Sequence, residues 1–203
     1  MPSTGNRPTL RYWPLAGGVV AFASFAVAGL LYPGGGYNPF LQMLSALGEI
    51  EVRGVRNPAC HYWFMAGMFL SAASVGLVWC ALVRRNRGWR RICIALGGAV
   101  DSAGLCTIAV VPFDVNGTIH NIGCTLAVAG GAAVLAATIR RRCTDIAWAV
   151  WFAVVVALFT LFLNVDAIPF SPWVPTTQKV LIVSFAVWAE WLVWKLSVSN
   201  RGT

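Results

Sequence analysis

Runs of about twenty residues with almost no charge recur along this chain, and that feature constrains the fold more than any other. Six segments qualify, at roughly 13–32, 61–83, 92–111, 118–139, 146–165 and 177–197. A helix of that length crosses a hydrocarbon core about 30 Å thick. In lipid, backbone N–H and C=O groups find no water, so each span must satisfy its own hydrogen bonds as a helix. Composition agrees: 58% of the 203 residues are hydrophobic and only 11% charged, too little charge for the surface of a soluble domain. The expectation is an all-α, polytopic membrane protein: one six-helix transmembrane domain spanning residues 1–203.

The basic residues set the orientation. Twelve of the fifteen Lys and Arg lie on one side of this topology: Arg7 and Arg11, the cluster Arg84, Arg85, Arg87, Arg90 and Arg91, the run Arg140–Arg142, Lys195 and Arg201. Arg53, Arg56 and Lys179 lie on the other. Such asymmetry places both termini in the cytoplasm of a cell inner membrane. The net charge of +8 therefore reads as orientation signal and contact with anionic lipid, not as a nucleic-acid surface. Ala26-Val27-Ala28 in the first apolar run resembles a signal-peptide cleavage site, but the run continues through Leu30, Leu31 and Tyr32, so an uncleaved span is expected.

Six cysteines contain no CxxC pair, which leaves redox and zinc-ribbon motifs unsupported. Five sit in or beside apolar spans, where a thiol behaves as a small hydrophobe. Cys60 and Cys124 fall at the same outer level, and a disulfide between them is one arrangement open to them.

The longest outer loop holds "NPFLQMLSALGE", residues 38–49. Phe40, Leu41, Leu44 and Leu47 alternate there with Asn38, Gln42, Ser45 and Glu49 at helical spacing, predicting a short amphipathic helix at the interface. Its polar stripe faces water, or turns inward to roof a cavity. The loop "DAIPFSPWVPTT" carries three prolines and a Trp and reads as a stiff cover. No inverted repeat links the three hairpins.

Most polar side chains gather at the outer level: His61, Asp114 and His120, with Glu49, Glu51, Asp166 and Lys179. Three readings are open. Pro112, Asp114, Asn116 and Gly117 are turn formers, Asn116 or Thr118 suits a helix cap, and a His120–Asp114 pair would tie the hairpin. Alternatively His61, His120 and Asp114 hold a metal such as zinc, or His120 is a general base oriented by Asp114, giving a membrane-embedded lipid hydrolase or transferase. With only two histidines, no cofactor is the main expectation. The third reading is a pocket lined by Ser45, His61, Asp114, His120, Gln42 and Lys179 that binds a lipid headgroup or small amphiphile. Ser45 lies in "MLSALG" with no GxSxG elbow around it, so a polar contact is expected there and not a nucleophile.

Two acids lie deeper, Asp101 in "GGAVDSAGL" and Glu190 in "VWAEWLVW". A charge at that depth costs several kcal/mol, and a proton- or ion-coupled transporter is the reading they support. The competing account of Asp101 is close helix approach among Gly97, Gly98 and Gly104 with a shared hydrogen bond.

The order of features resembles the six-span bacterial and archaeal family known as domain of unknown function 998. Tyr37, Pro39, Gln42, Ser45, Leu47 and Gly48, then "VVPFD" with Asp114, His120 and Trp188 carry the resemblance over roughly 13–197. It implies a six-helix bundle with recurrent polar residues on one side, and no established activity. The family pattern often has an acid where this chain has Ala46, and an acidic–basic pair where it has Gln178-Lys179. These departures weaken the case for a catalytic carboxylate in that loop, and leave Ser45, Asp114 and His120 as matching positions.

Overall fold

A computed structural model describes residues 13–139, 143–164 and 173–198. Six helices follow in order: α1 (Trp13–Leu30), α2 (Pro58–Arg85), α3 (Gly88–Val110), α4 (Gly117–Thr138), α5 (Cys143–Asn164) and α6 (Trp173–Val198). Their ranges track the apolar runs to within a few residues. Among the described residues four helical stretches are long and apolar enough to cross a membrane: Pro58–Arg85, Gly88–Val110, Gly117–Thr138 and Cys143–Thr160. A shorter apolar stretch covers Ala16–Leu30. The protein is therefore a multi-pass membrane protein built entirely around helices.

The ends differ from the sequence expectation in instructive ways. Pro58 opens α2, where its missing N–H costs nothing because the first helical turn has no internal acceptors. The expected loop "RRNRGWRR" is mostly helical: Arg84 and Arg85 close α2, and Trp89, Arg90 and Arg91 lie in the first turn of α3. Only Asn86 and Arg87 link the two. Gly88 makes the reversal with φ +58, a region that a residue with a Cβ rarely adopts. α6 begins at Trp173, so Pro175 sits in its first turn rather than in a loop, a position the helix tolerates.

Helix contacts follow the small residues. α3 and α4 share the largest interface, and they meet backbone to backbone. A Cβ added to Gly104 would lie 2.6 Å from the Gly123 carbonyl oxygen, and one on Gly130 would lie 2.5 Å from that of Gly97. Small residues permit such approach where lipid offers no hydrophobic drive to associate. Elsewhere large rings fill the space above glycine: Phe25 of α1 over Gly67 of α2, and Trp79 of α2 over Gly98 of α3.

Two buried clusters result. One contains Phe25, Tyr32, Leu47, Cys60, Phe64, Met68 and Ile108. The other contains Val78, Trp79, Leu82, Ile94, Val134, Trp188 and Leu192, and there α6 joins α2 through Trp188 on Trp79, with ring centroids 5.8 Å apart. α5 packs mainly on α6. Its other side exposes Ile146, Val150, Val154 and Leu158, an apolar surface suited to lipid and not to water.

Residues 31–57 close over the end of the bundle where α1 and α3 finish and α2, α4 and α6 begin; we call this the loop face. The amphipathic helix expected over 38–49 is not formed as such. Asn38–Gln42 makes hydrogen-bonded turns, and only Leu44–Gly48 is helical, as a five-residue 3-10 helix. The reason is anchorage: Leu47 and Gly48 are buried against α2, while Phe40 and Leu41 remain exposed. The segment then forms a hairpin that the sequence reading passed over. Strands β1 (Glu51–Val52) and β2 (Val55–Arg56) pair antiparallel, with Val52 opposite Val55. Arg53 and Gly54 both have positive φ, +51 and +80, the signature of a two-residue type I′ turn.

Candidate functional site

Asp114, His61 and His120 all lie at the loop face, but each engages a different piece of backbone. Asp114 sits in the α3–α4 turn, held by the amides of Val115 and Asn116 donating to the Pro112 carbonyl. Asn116 caps α4, its side chain accepting from the Ile119 amide at 3.0 Å. From there the exposed Asp114 carboxylate reaches the hairpin segment, where Oδ2 accepts the amides of Ile50 at 2.9 Å and Glu51 at 3.1 Å.

His120, in the first turn of α4, is 2% exposed. Its Nδ1 lies 2.8 Å from the Val111 carbonyl oxygen. A carbonyl can only accept, so Nδ1 carries the proton. His61 repeats the arrangement at the start of α2, with Nδ1 2.7 Å from the Gly48 carbonyl. Two neighbours add to this clamp: the Cys60 thiol donates to the Leu47 carbonyl at 3.0 Å, and Asn57 Nδ2 donates to that of Glu49 at 3.2 Å.

The hairpin-tying role of Asp114 and His120 is thus present in altered form. They do not bond to each other: His120 closes its own turn, and Asp114 ties that turn to the 49–57 segment. The general-base arrangement needs His120 oriented by Asp114, and its ring is oriented by Val111 instead. Among the described residues no three His, Cys, Asp or Glu side chains gather as a metal would require. Cys60 and Cys124 are free thiols, which corrects the disulfide arrangement; the Cys60 thiol is committed to Leu47.

A second polar cluster stands where α6 meets the same loop. Gln178 Oε1 accepts the Leu44 amide at 2.8 Å. Lys179 Nζ donates to the Gln42 carbonyl at 2.5 Å and more weakly to that of Pro175 at 3.4 Å, and lies 5.5 Å from the centroid of the Tyr37 ring. Gln42 is the hub. Its carbonyl also accepts the Tyr37 hydroxyl at 3.2 Å, its Oε1 accepts the Asn38 amide at 2.6 Å, and its Nε2 donates to the Tyr32 hydroxyl at 3.2 Å. Ser45, half-buried, follows Leu44 directly. So the polar stripe of 38–49 turns partly inward.

Burial raises the Tyr37 phenol, with Tyr32 and Cys60 adding to the effect, so it stays protonated. Burial also lifts the Glu49 carboxyl above its usual range, and the Asp114 charge raises it further. Sequence reasoning saw Gln178 only as a departure from a family pattern, and it missed Tyr32. The overlooked signal was Gln178-Lys179 opening an apolar helix opposite the one long outer loop.

The deep acids stay apart from this face. Asp101 is 2% exposed and accepts the Trp79 indole N–H at 2.8 Å, the shared hydrogen bond expected for closely packed helices. Glu190 is half-buried where α1 passes, its Oε1 3.7 Å from where a Cβ on Gly18 would stand. Sequence reading did not single out Asp145, which is buried and pairs with Lys195 at 2.8 Å, joining the start of α5 to the end of α6. Asp166 lies outside the described residues.

No curated protein and no solved structure matches the chain. One family model does, described as "Protein of unknown function (DUF998)", and it covers residues 15–195. With nearly its whole length matched, the chain belongs to the DUF998 family.

Proposed function

We propose that this membrane protein binds a lipid headgroup or small amphiphile at its loop face, within a single domain of six spans. The excess of Arg and Lys at the opposite end of the bundle supports a loop face outside the inner membrane, with both termini in the cytoplasm. It also supports contact between anionic lipid and the Arg84–Arg91 and Arg140–Arg142 clusters.

The observation that carries the reading is a half-buried polar cluster set in an apolar rim. Gln42, Ser45, Gln178 and Lys179 are each partly accessible. Around that end of the bundle Phe40, Leu41, Tyr62, Trp63 and Phe113 are exposed. A site for an amphiphile needs both parts: convergent polar groups for the head and apolar surface for the tail. In this reading Asp114, His61 and His120 are positioning residues: Asp114 and His61 bond to the loop that supplies Gln42 and Ser45, and His120 holds the turn that carries Asp114.

The test is native mass spectrometry of protein released in mild detergent, beside Ser45→Ala and Gln178→Leu, with helical content followed by circular dichroism. The expected result is a phospholipid adduct that weakens in both variants while helical content holds. Wild-type protein that retains no phospholipid under conditions preserving the fold would overturn the reading.

A further inference from the structure

We infer that the loop-face ligand is an anion, a phosphate or carboxylate group, and that Lys179 receives its charge. This rests on the headgroup reading and adds its chemistry.

The argument is an inventory of donors and acceptors. An ammonium has three N–H donors. Lys179 gives one to the Gln42 carbonyl and a long one to Pro175, at 2.5 and 3.4 Å, leaving one uncommitted. Among the described residues no carboxylate pairs with it; the Lys195–Asp145 ion pair lies at the other end of α6. A half-buried cation without a counter-ion is an expensive arrangement, and a bound anion removes the expense.

The neighbouring groups point the same way. Acceptors are already used: the Gln42 carbonyl receives both Tyr37 and Lys179, Gln42 Oε1 receives Asn38, and Gln178 Oε1 receives Leu44. What remains is chiefly donors: the Gln178 side-chain NH2, the third Lys179 N–H and the Ser45 hydroxyl, whose oxygen can also accept. The N-terminal turn of α6, from Trp173, adds the positive end of a helix dipole. A quaternary ammonium head would seek an aromatic face, but Lys179 already lies against the Tyr37 ring. The loop-face carboxylates do not answer the charge either. Asp114 Oδ2 is taken by the Ile50 and Glu51 amides, and burial, with the Asp114 charge second, raises the Glu49 pKa.

The experiment uses the full chain in mild detergent. Phosphatidylglycerol, phosphatidylcholine and inorganic phosphate are titrated separately and adducts are read by native mass spectrometry. Wild type is compared with Lys179→Gln, Lys179→Arg and an Arg56→Gln control that removes an exposed charge from the same face outside the cluster. We expect phosphatidylglycerol to bind more tightly than phosphatidylcholine. Lys179→Gln should weaken the tightest phosphatidylglycerol adduct about tenfold or more, the loss of one charge-assisted hydrogen bond. Lys179→Arg should retain it, and the Arg56→Gln control should leave it unchanged. Displacement by millimolar inorganic phosphate would also support the anion site and identify a soluble phosphate as its source; failure to displace assigns it to the lipid headgroup. Equal binding of the two lipids, unaltered by Lys179→Gln, would overturn the anion assignment and leave the headgroup reading standing. Retention of neither lipid nor phosphate would overturn both.

Discussion

Removing the Asp114 carboxylate should loosen one hairpin and little else. Asp114 Oδ2 takes two backbone amides, from Ile50 at 2.9 Å and Glu51 at 3.1 Å. Buried hydrogen bonds to a charged group are worth roughly 1.5–3 kcal/mol each, but Asp114 is exposed and water competes for both partners. About 1 kcal/mol for the pair is the appropriate scale, which corresponds to a roughly fivefold change in local opening. Asp114→Ala should therefore speed amide exchange at Ile50 and Glu51 about fivefold. Asp114→Asn keeps one carbonyl oxygen and the turn preference of the position, and should speed it about twofold. The rest of the segment stays anchored by His61 to Gly48, Cys60 to Leu47 and Asn57 to Glu49, so the change should be confined to residues near 49–57. Hydrogen exchange with mass-spectrometric readout on short peptides measures this directly. Unchanged exchange at Ile50 and Glu51 in Asp114→Ala would refute the clamp, and acceleration spread through α2–α4 would show that Asp114 supports the whole bundle.

Three further outcomes follow from the packing and the charges. Gly130→Val places a Cβ 2.5 Å from the Gly97 carbonyl oxygen; because the obstacle is backbone, the helices must part, costing about 3 kcal/mol or more, seen as a lowered denaturation midpoint in mixed detergent. A double-mutant cycle of Trp79→Phe and Asp101→Ala across their 2.8 Å bond should give a coupling of roughly 0.6–1.7 kcal/mol, the range for hydrogen bonds between membrane helices; coupling near zero would mean the pair contributes no specific bond. Burial and then the Asp114 charge hold Glu49 above its ordinary range, so the folded face binds that proton better than the unfolded chain does. The resulting stability is complete below the ordinary carboxylate range and is lost as pH rises through the raised value. Exchange in residues 49–57, corrected for intrinsic rate, should therefore quicken over that interval in wild type, and Glu49→Gln should remove the dependence.

The candidate site was half legible in the sequence. The level of His61, Asp114 and His120 could be read because each lies at the end of an apolar run, and a run's length fixes membrane depth. Their partners could not be read, because all three bond to backbone carbonyls or amides, which every residue possesses and no side-chain pattern reveals. For the same reason the amphipathic pattern at 38–49 misled: spacing reports which residues share a helical face, but Gln178, Lys179 and Tyr32 capture the backbone and side chains of Leu44 and Gln42 and hold the segment in turns. The Lys179 cluster joins residues 134 to 137 positions apart, a distance at which local pattern carries no information.

What the sequence determined by itself was class and helix placement. Apolar runs long enough to cross a bilayer admit few backbone solutions, so the helices α1–α6 were settled before any contact was known. Tertiary structure alone decided which helices touch through backbone, where Gly97, Gly104, Gly123 and Gly130 interleave, and which polar groups meet at the loop face. Lipid dictates that each span be a helix because the backbone has nowhere else to bond. It is indifferent to which helix lies beside which, and that choice is made by the fit of small residues against backbone and of rings above glycine.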